Sequence, residues 1–326
     1  MSVWLPSAPC TPGACVEARA SATALPRAVL RMAAVAALVL AGVVLTPLGG
    51  RIPAGPVQRW CRWIVRAAGV QVRITGATAP AGGLLLVANH ISWLDIPLLA
   101  AVRPARMLAK AEIRRWPVAG PVAARGGVLF IDRDRLRALP GTVARIADAL
   151  RSGQAVAVFP EGSTWCGRAQ GHFRRAVFQA ALDASVPVQP VHIRYRLARG
   201  GASTAPAFVG EDSLLASVWR VVSARGLVAE VEVRDVIPPG RHPDRRTLAR
   251  AAQPGAAAEL DWTHAALVAQ DGHGWAYTPG VFGRIRREGP GPGSAHQIRR
   301  LSPSAPTNRC AGQSKVPHRA IFHRAT

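Results

Sequence analysis

The chain has 326 residues, 49% of them hydrophobic, and a formal net charge of +23, enough length for one or two domains with a sizeable core. All but two of the 41 basic residues are arginine, a bias that a GC-rich coding sequence produces by itself, yet a pI near 11.7 still implies affinity for a polyanion, either nucleic acid or an anionic membrane surface. Zinc-finger spacing, the aromatic RNP pattern and basic-zipper heptads are all missing, so nucleic acid is set aside as a partner and the membrane is favoured.

Residues 1–25 are rich in Ala, Pro and Ser without periodicity and read as a disordered leader. Residues 26–70 read as membrane-seated helices. The first, Met32 to Leu45, is apolar and uncharged but falls short of the roughly 20 residues that a full span needs. A signal peptide is the rival reading, against which stand the long leader and the lack of a clear small-x-small cleavage site. The second, Val57 to Val70, sets Trp60, Trp63, Ile64 and Ala67 on one helical stripe and Arg59, Arg62 and Arg66 on another. That pattern suits the interfacial plane of a bilayer; the alternative is a helix packed on the globular domain.

From about residue 71 to residue 255 strands and helices alternate. Expected strands are Leu84–Ala88, Arg106–Ala109, Val128–Ile131, Ala155–Phe159, Val188–Ile193 and Leu227–Val233. Expected helices are Trp93–Val102, Leu136–Leu150, Arg174–Asp183 and Ser213–Ala224. Alternation of this kind predicts an α/β fold, a mixed sheet sandwiched by helices. Residues 256–326 read as a weakly structured to disordered basic tail, Pro-, Gly-, Ser- and Arg-rich from Arg284 on. The five cysteines, Cys10, Cys15, Cys61, Cys166 and Cys310, have spacings that match neither a zinc site nor a disulfide framework. They point to a reducing compartment. No metal is expected, and Cys166 reads as incidental.

The stretch Asn89-His90-Ile91-Ser92-Trp93-Leu94-Asp95 follows the first of these strands directly. An imidazole then stands at the mouth of a sheet, with a carboxylate five residues on. Histidine can accept a proton from an alcohol, and aspartate can fix its tautomer and steady the imidazolium that forms. Positions five apart do not share a helical face, so the pair meets only if a turn separates them, which the strand-to-helix switch would supply. Ser92 and Asp95 fit a capping box equally well, with Ser92 at the N-cap and Asp95 at N3. On these residues alone both readings stand.

Three further stretches follow in order: Lys110-Ala111-Glu112-Ile113 with Gly127 to Arg133, then Phe159-Pro160-Glu161-Gly162-Ser163-Thr164, then Val186 to Ile193. With the first stretch they resemble the four motifs of glycerolipid acyltransferases of the 1-acylglycerol-3-phosphate acyltransferase type, from Leu84 to Ile193, and the N-terminal helices fit that family too. The resemblance implies transfer of a fatty acyl group from acyl-CoA or acyl carrier protein, as co-substrate and without a cofactor, to a lysolipid hydroxyl. In that reaction His90 is the base and Asp95 orients it, while Lys110, Arg133, Glu161, Gly162 and Ser163 bind substrate. Arg133 grips a phosphate; Glu161 aims an arginine or accepts a glycerol hydroxyl; Gly162 lets the backbone approach closely. Apart from the resemblance, Arg133 is an ordinary surface charge and Glu161-Gly162 a turn at a strand end. Ser163 lies outside any G-x-S-x-G elbow, so no acyl-enzyme is implied. Pro187 and Pro190 look structural.

Two departures bear on the acceptor. Thr164 stands where the family usually has arginine, and Ala176 stands where it has glycine; Arg168, Arg174 or Arg175 are the substitute cations. The expected product is phosphatidic acid, made at the cytoplasmic face of the cell membrane from 1-acylglycerol-3-phosphate. Lyso-ornithine lipid, which carries no phosphate, is the alternative acceptor. A non-catalytic basic membrane-binding protein is the alternative from a different class.

Overall fold

Every residue of Leu84–Ala88 is buried, the pattern of a strand covered on both faces, and it lies at the middle of the sheet. The computed structural model describes residues 8–17, 25–45, 52–79, 81–116, 119–132 and 135–253. Its strands are β1 (Val70–Thr75), β2 (Leu84–Ala88), β3 (Arg106–Lys110), β4 (Leu129–Ile131), β5 (Ala155–Val158), β6 (Val188–Leu197) and β7 (Leu227–Val233). They form one seven-stranded sheet in the order β1-β7-β6-β2-β5-β3-β4. All neighbours pair in parallel except β6 and β7, so the sheet is mixed, as expected. β1 was not anticipated. It is an edge strand whose alternate residues face outward, too short and too polar to stand out from the amphipathic helix before it.

The helices are α1 (Pro12–Cys15), α2 (Leu25–Leu45), α3 (Ala54–Ala67), α4 (Asp95–Val102), α5 (Ala119–Arg125), α6 (Leu139–Arg151), α7 (Ala176–Ala184), α8 (Leu214–Ser223) and α9 (Arg245–Ala252). Because successive strand residues point to opposite faces, β2 feeds two cores. Leu84, Leu86 and Ala88 pack with Val65, Leu98, Leu99, Val221 and Val222 of α3, α4 and α8. Leu85 and Val87 pack with Ile146, Leu150, Phe178 and Leu248 of α6, α7 and α9.

The N-terminal segments differ from expectation in three ways. Residues 8–17, read as part of a disordered leader, are folded: Thr11 caps α1, and Cys10 and Cys15 are buried in the α4-side core. α2 begins at Leu25, not Met32, and its 21 residues at about 1.5 Å each match the roughly 30 Å of a bilayer core. Arg27 and Arg31, which precede Met32, lie inside the helix and donate to backbone carbonyls of Ser223, Val222 and Ala224 at the end of α8. α3 is a packed helix on one side: Val65 is fully buried, Gln58 and Arg62 donate to Val102 O and Ala101 O, and Trp63 stays 54% exposed. Arg62 therefore leaves the exposed basic stripe, because a helix C-terminus offers it unpaired carbonyls. The rest of the leader and the tail 256–326 lie outside the described residues.

At the carboxyl end of β2 the ladder to β6 is continued by a side chain. Asn89 Nδ2 donates to Ile193 O at 2.9 Å, and Ile193 N donates to Asn89 Oδ1 at 2.8 Å. Asn89→Ala leaves both backbone groups buried and unpaired, a loss of roughly 2–4 kcal/mol. A fall in Tm of roughly 5–10 °C is expected for a domain of this size, measured by circular dichroism in detergent. An unchanged Tm would show that the clamp is dispensable.

Candidate active site

β2 and β5 are neighbours, and the chain leaves them in opposite directions: from β2 toward β3, from β5 back toward β6. α4 accordingly packs on one face of the sheet and α7 on the other. Ligands of open α/β sheets bind at such a divergence, outside the carboxyl ends of the strands. His90 follows β2 there, and Phe159 to Ser163 follow β5.

A tight turn brings His90 and Asp95 together. Asp95 N donates to Ser92 O, which closes the turn and starts α4 at Asp95; Pro97 sits in the first helical turn, where no N–H is needed. Asp95 is fully buried. Its Oδ2 accepts from His90 Nδ1 at 2.8 Å, from Ile91 N at 2.6 Å and from Ser92 N at 2.8 Å, and its Oδ1 accepts from Tyr195 Oη at 2.6 Å. The capping-box reading is half right. The carboxylate reaches back to Ser92 N, as in a capping box, but Leu94 is the N-cap and Ser92 Oγ accepts from Leu94 N within the turn. The helix starts too late for Ser92 to cap it.

His90 is held at every point but one. Its N–H donates to Glu161 Oε2 at 2.7 Å, its carbonyl accepts from Trp165 N at 2.8 Å, and its ring stacks on Phe159 with centroids 3.9 Å apart. The ionised carboxylate can only accept, so Nδ1 carries the proton and Nε2 presents a lone pair. Among the described residues Nε2 meets no hydrogen-bond partner, and the side chain is 20% exposed. Such a group can take a proton from an approaching alcohol. His192, the other histidine in these motifs, is no rival: burial, with Arg194 and Arg234 nearby, lowers its pKa to about 4.

Glu161 departs from its expected part. Its second oxygen accepts from Gly171 N at 3.0 Å, and only 3% of the residue is exposed, so both oxygens serve the backbone and neither aims an arginine. The physical reason is adjacency: the N–H after β2 has no ladder partner, and the loop after β5 passes beside it. Gly162 has φ 77°, the left-handed turn that glycine adopts freely. A Cβ on Gly171 would lie 2.4 Å from Trp165 Nε1, so this glycine permits the close packing of the loop. Among the described residues, the buried Ser163 hydroxyl and the Trp93 and Trp165 indole nitrogens meet no hydrogen-bond partner.

Lys110 ends β3, two strands from β2 and therefore roughly 10 Å along the same edge. Its ammonium pairs with Glu112 at 2.9 Å. Arg133 lies outside the described residues. Among the substitute cations, Arg168 pairs with Glu17 at 3.3 Å, while Arg174 and Arg175 are exposed. Pro187 and Pro190 belong to the sheet: Pro187 O accepts from Leu85 N, and Pro190 is buried opposite Val87. A cavity of about 290 Å³ lies at the amino end of β6, between Leu182, Val186 and Pro238, away from all these groups.

Tyr195 and Asn89 are the residues that motif reasoning missed. The signal for Tyr195 was present, because it continues the inward row Val191, Ile193 along β6 and is one of two tyrosines in the chain.

Burial pushes the Glu161 pKa from 4.5 up to about 8, against the pull of the His90 and Gly171 N–H groups. The folded state thus holds this proton more tightly than the unfolded chain. The resulting stabilisation is complete below about pH 4.5 and is lost as pH rises through about 8. Thermal stability should therefore decline across that window. Glu161→Gln, which cannot titrate, should start lower, since its amide nitrogen faces an N–H donor, but should show a flatter decline. Equal pH slopes for the two proteins would refute this assignment.

The Acyltransferase family model matches residues 70–194. A lyso-ornithine lipid O-acyltransferase of Pseudomonas aeruginosa is 41% identical over 223 residues, covering 66% of this chain and 80% of the relative. A 1-acyl-sn-glycerol-3-phosphate acyltransferase of Neisseria gonorrhoeae is 36% identical over 166 residues, 51% of this chain and 65% of that protein. The crystal structure of the 1-acyl-sn-glycerophosphate acyltransferase from Thermotoga maritima superposes with a TM-score of 0.46 at 18% identity, over 69% of this chain and 81% of that one. With His90 and Asp95 paired at the carboxyl edge of the sheet and the four motifs in order along the sequence, the chain belongs to the acyltransferase family.

Proposed function

We propose that this acyltransferase moves a fatty acyl group from acyl-CoA or acyl carrier protein to the hydroxyl of a lysolipid at the cytoplasmic face of the cell membrane. One observation carries the reading: the 2.8 Å bond from His90 Nδ1 to a buried carboxylate, with Nε2 left to the crevice. The lysolipid hydroxyl attacks the thioester carbonyl as Nε2 takes its proton. Asp95 holds the Nδ1–H and steadies the imidazolium. Collapse of the tetrahedral intermediate breaks the C–S bond, and the departing thiolate takes the proton back from His90. The bonded pair speaks against a non-catalytic membrane-binding protein.

Lyso-ornithine lipid is the acceptor that the observations support best. Thr164 leaves the third motif without its usual cation, Arg168 is engaged by Glu17, and Lys110 by Glu112. The relative that this chain covers to 80% is named for that substrate. The order of the two acceptors expected from the motifs is thereby reversed. 1-Acylglycerol-3-phosphate stays as a second reading because of the Neisseria relative, with Arg133 as its phosphate ligand.

Membrane seating rests on α2, whose most apolar window has a mean hydropathy of 2.4 and is only 11% buried. Leu30, Leu40 and Val44 are 64–70% exposed, and the neighbouring α8 adds exposed Leu214, Leu215 and Trp219. Trp63 on α3 stands beside exposed Arg59 and Arg66, suited to an anionic interface. An arginine in the middle of a span costs about 2.5–3.5 kcal/mol. The double substitution Ala36→Arg, Leu40→Arg, at exposed positions toward the middle of α2, should thus shift the protein from the membrane to the soluble fraction of an alkaline wash, without touching the core. Unchanged partitioning would exclude α2 as the anchor.

The function itself is tested with purified protein, labelled acyl-CoA or acyl carrier protein, and lyso-ornithine lipid beside 1-acylglycerol-3-phosphate. kcat/KM should favour lyso-ornithine lipid by about tenfold or more, equivalent to roughly 1.4 kcal/mol. His90→Ala and Asp95→Asn should each lose about 10²–10⁴-fold with an unchanged circular dichroism spectrum. A wild-type preference for the phosphate acceptor, weakened at least about tenfold by Arg133→Ala, would restore the second reading. Retention of more than about a tenth of turnover by His90→Ala would remove His90 as the base.

A further inference from the structure

Cys10, Cys15 and Cys166 are far apart in sequence, yet their three sulfur atoms lie within 4.8 Å of one another. Exposure of these residues is 2%, 3% and 0%. Thiols buried for packing alone have no reason to converge on one point. Tetrahedral zinc thiolates, with Zn–S near 2.3 Å, place their sulfurs about 3.8 Å apart, so a small contraction of this cluster suffices. Backbone N–H groups approach the three sulfurs. The N–H groups of Arg168 and Ala169 point at Cys166, that of Cys166 at Cys10 and that of Thr11 at Cys15.

We propose that Cys10, Cys15 and Cys166 form a three-thiolate site for zinc(II), which fastens the N-terminal segment to the loop that positions His90. Three Zn–S bonds form as the remaining thiol protons pass to solvent, and the fourth tetrahedral position is left to a non-protein donor. The role is structural. Cys166 directly follows Trp165, whose N–H holds the His90 carbonyl, and lies in the loop that Glu161 begins. One contact already joins the two segments, Arg168 to Glu17 at 3.3 Å, and Glu17 N also donates to Thr204 Oγ1 at 3.1 Å in the loop after β6. Zinc there turns the leader from a tether into a brace.

The test uses the full chain, purified in detergent with reductant and without chelator. Elemental analysis should find about one zinc per chain, and cobalt(II) in its place should give a sulfur-to-metal charge-transfer band in the near ultraviolet. Cys10→Ser, Cys15→Ser and Cys166→Ser should each weaken metal retention at least about tenfold, while Cys61→Ser on α3 keeps it. Should a serine variant fail to fold, the wild type provides a second readout: zinc should slow alkylation of Cys10, Cys15 and Cys166 but not of Cys61. Reduced protein that retains no zinc at micromolar concentrations, or a cobalt spectrum unaffected by the three variants, overturns the proposal. So does a disulfide between any two of the three cysteines in cells lysed with thiols blocked.

Discussion

The Asp95 carboxylate is the constraint on which the rest of the site depends. A buried carboxylate costs several kcal/mol in lost hydration, and the protein offsets this with four donors, each charge-assisted bond contributing about 1.5–3 kcal/mol. Those donors fix different things. The Ile91 and Ser92 N–H groups fix the turn, Tyr195 ties the turn to β6, and His90 is the donor whose other ring nitrogen is left to the crevice. With three hydrogen bonds on Oδ2 and one on Oδ1, the carboxylate is held from both oxygens, and the imidazole takes its position from the turn and from β6.

The same logic runs through the second carboxylate. Glu161 bonds the backbone on both sides of the crevice, His90 N after β2 and Gly171 N in its own loop. One buried acid thus orients the ring, and the other holds the main chain that carries it. Phe159 closes the arrangement by stacking on one face of the imidazole. Preorganisation of this kind removes reorganisation from the reaction step.

The exposed apolar surface is set apart from the histidine. The long apolar helix and the exposed faces of α3 and α8 belong to the layer that contains α4, the helix begun by Asp95. The exposed apolar surface and the turn that holds His90 therefore share one core. The cluster of Cys10, Cys15 and Cys166 sits in that core as well, so the N-terminal segment is part of the enzyme's frame.

What the sequence by itself determined was local: the strand before His90, the turn that lets positions five apart meet, the β/α alternation, and the order of the motifs. These follow from periodicity and short-range geometry, which neighbouring residues set. Sheet order was not legible, because insertion of β5 between β2 and β3 is a matter of long-range packing; it decided that Glu161 binds the His90 backbone and not an arginine. Nor could spacing show that Arg62 would find the end of α4, or that Tyr195, 100 residues from Asp95, would complete its shell. The tertiary structure decided those contacts, and it gathered three cysteines that spacing had scattered, since a buried polar atom takes whatever partner the packed core brings within reach.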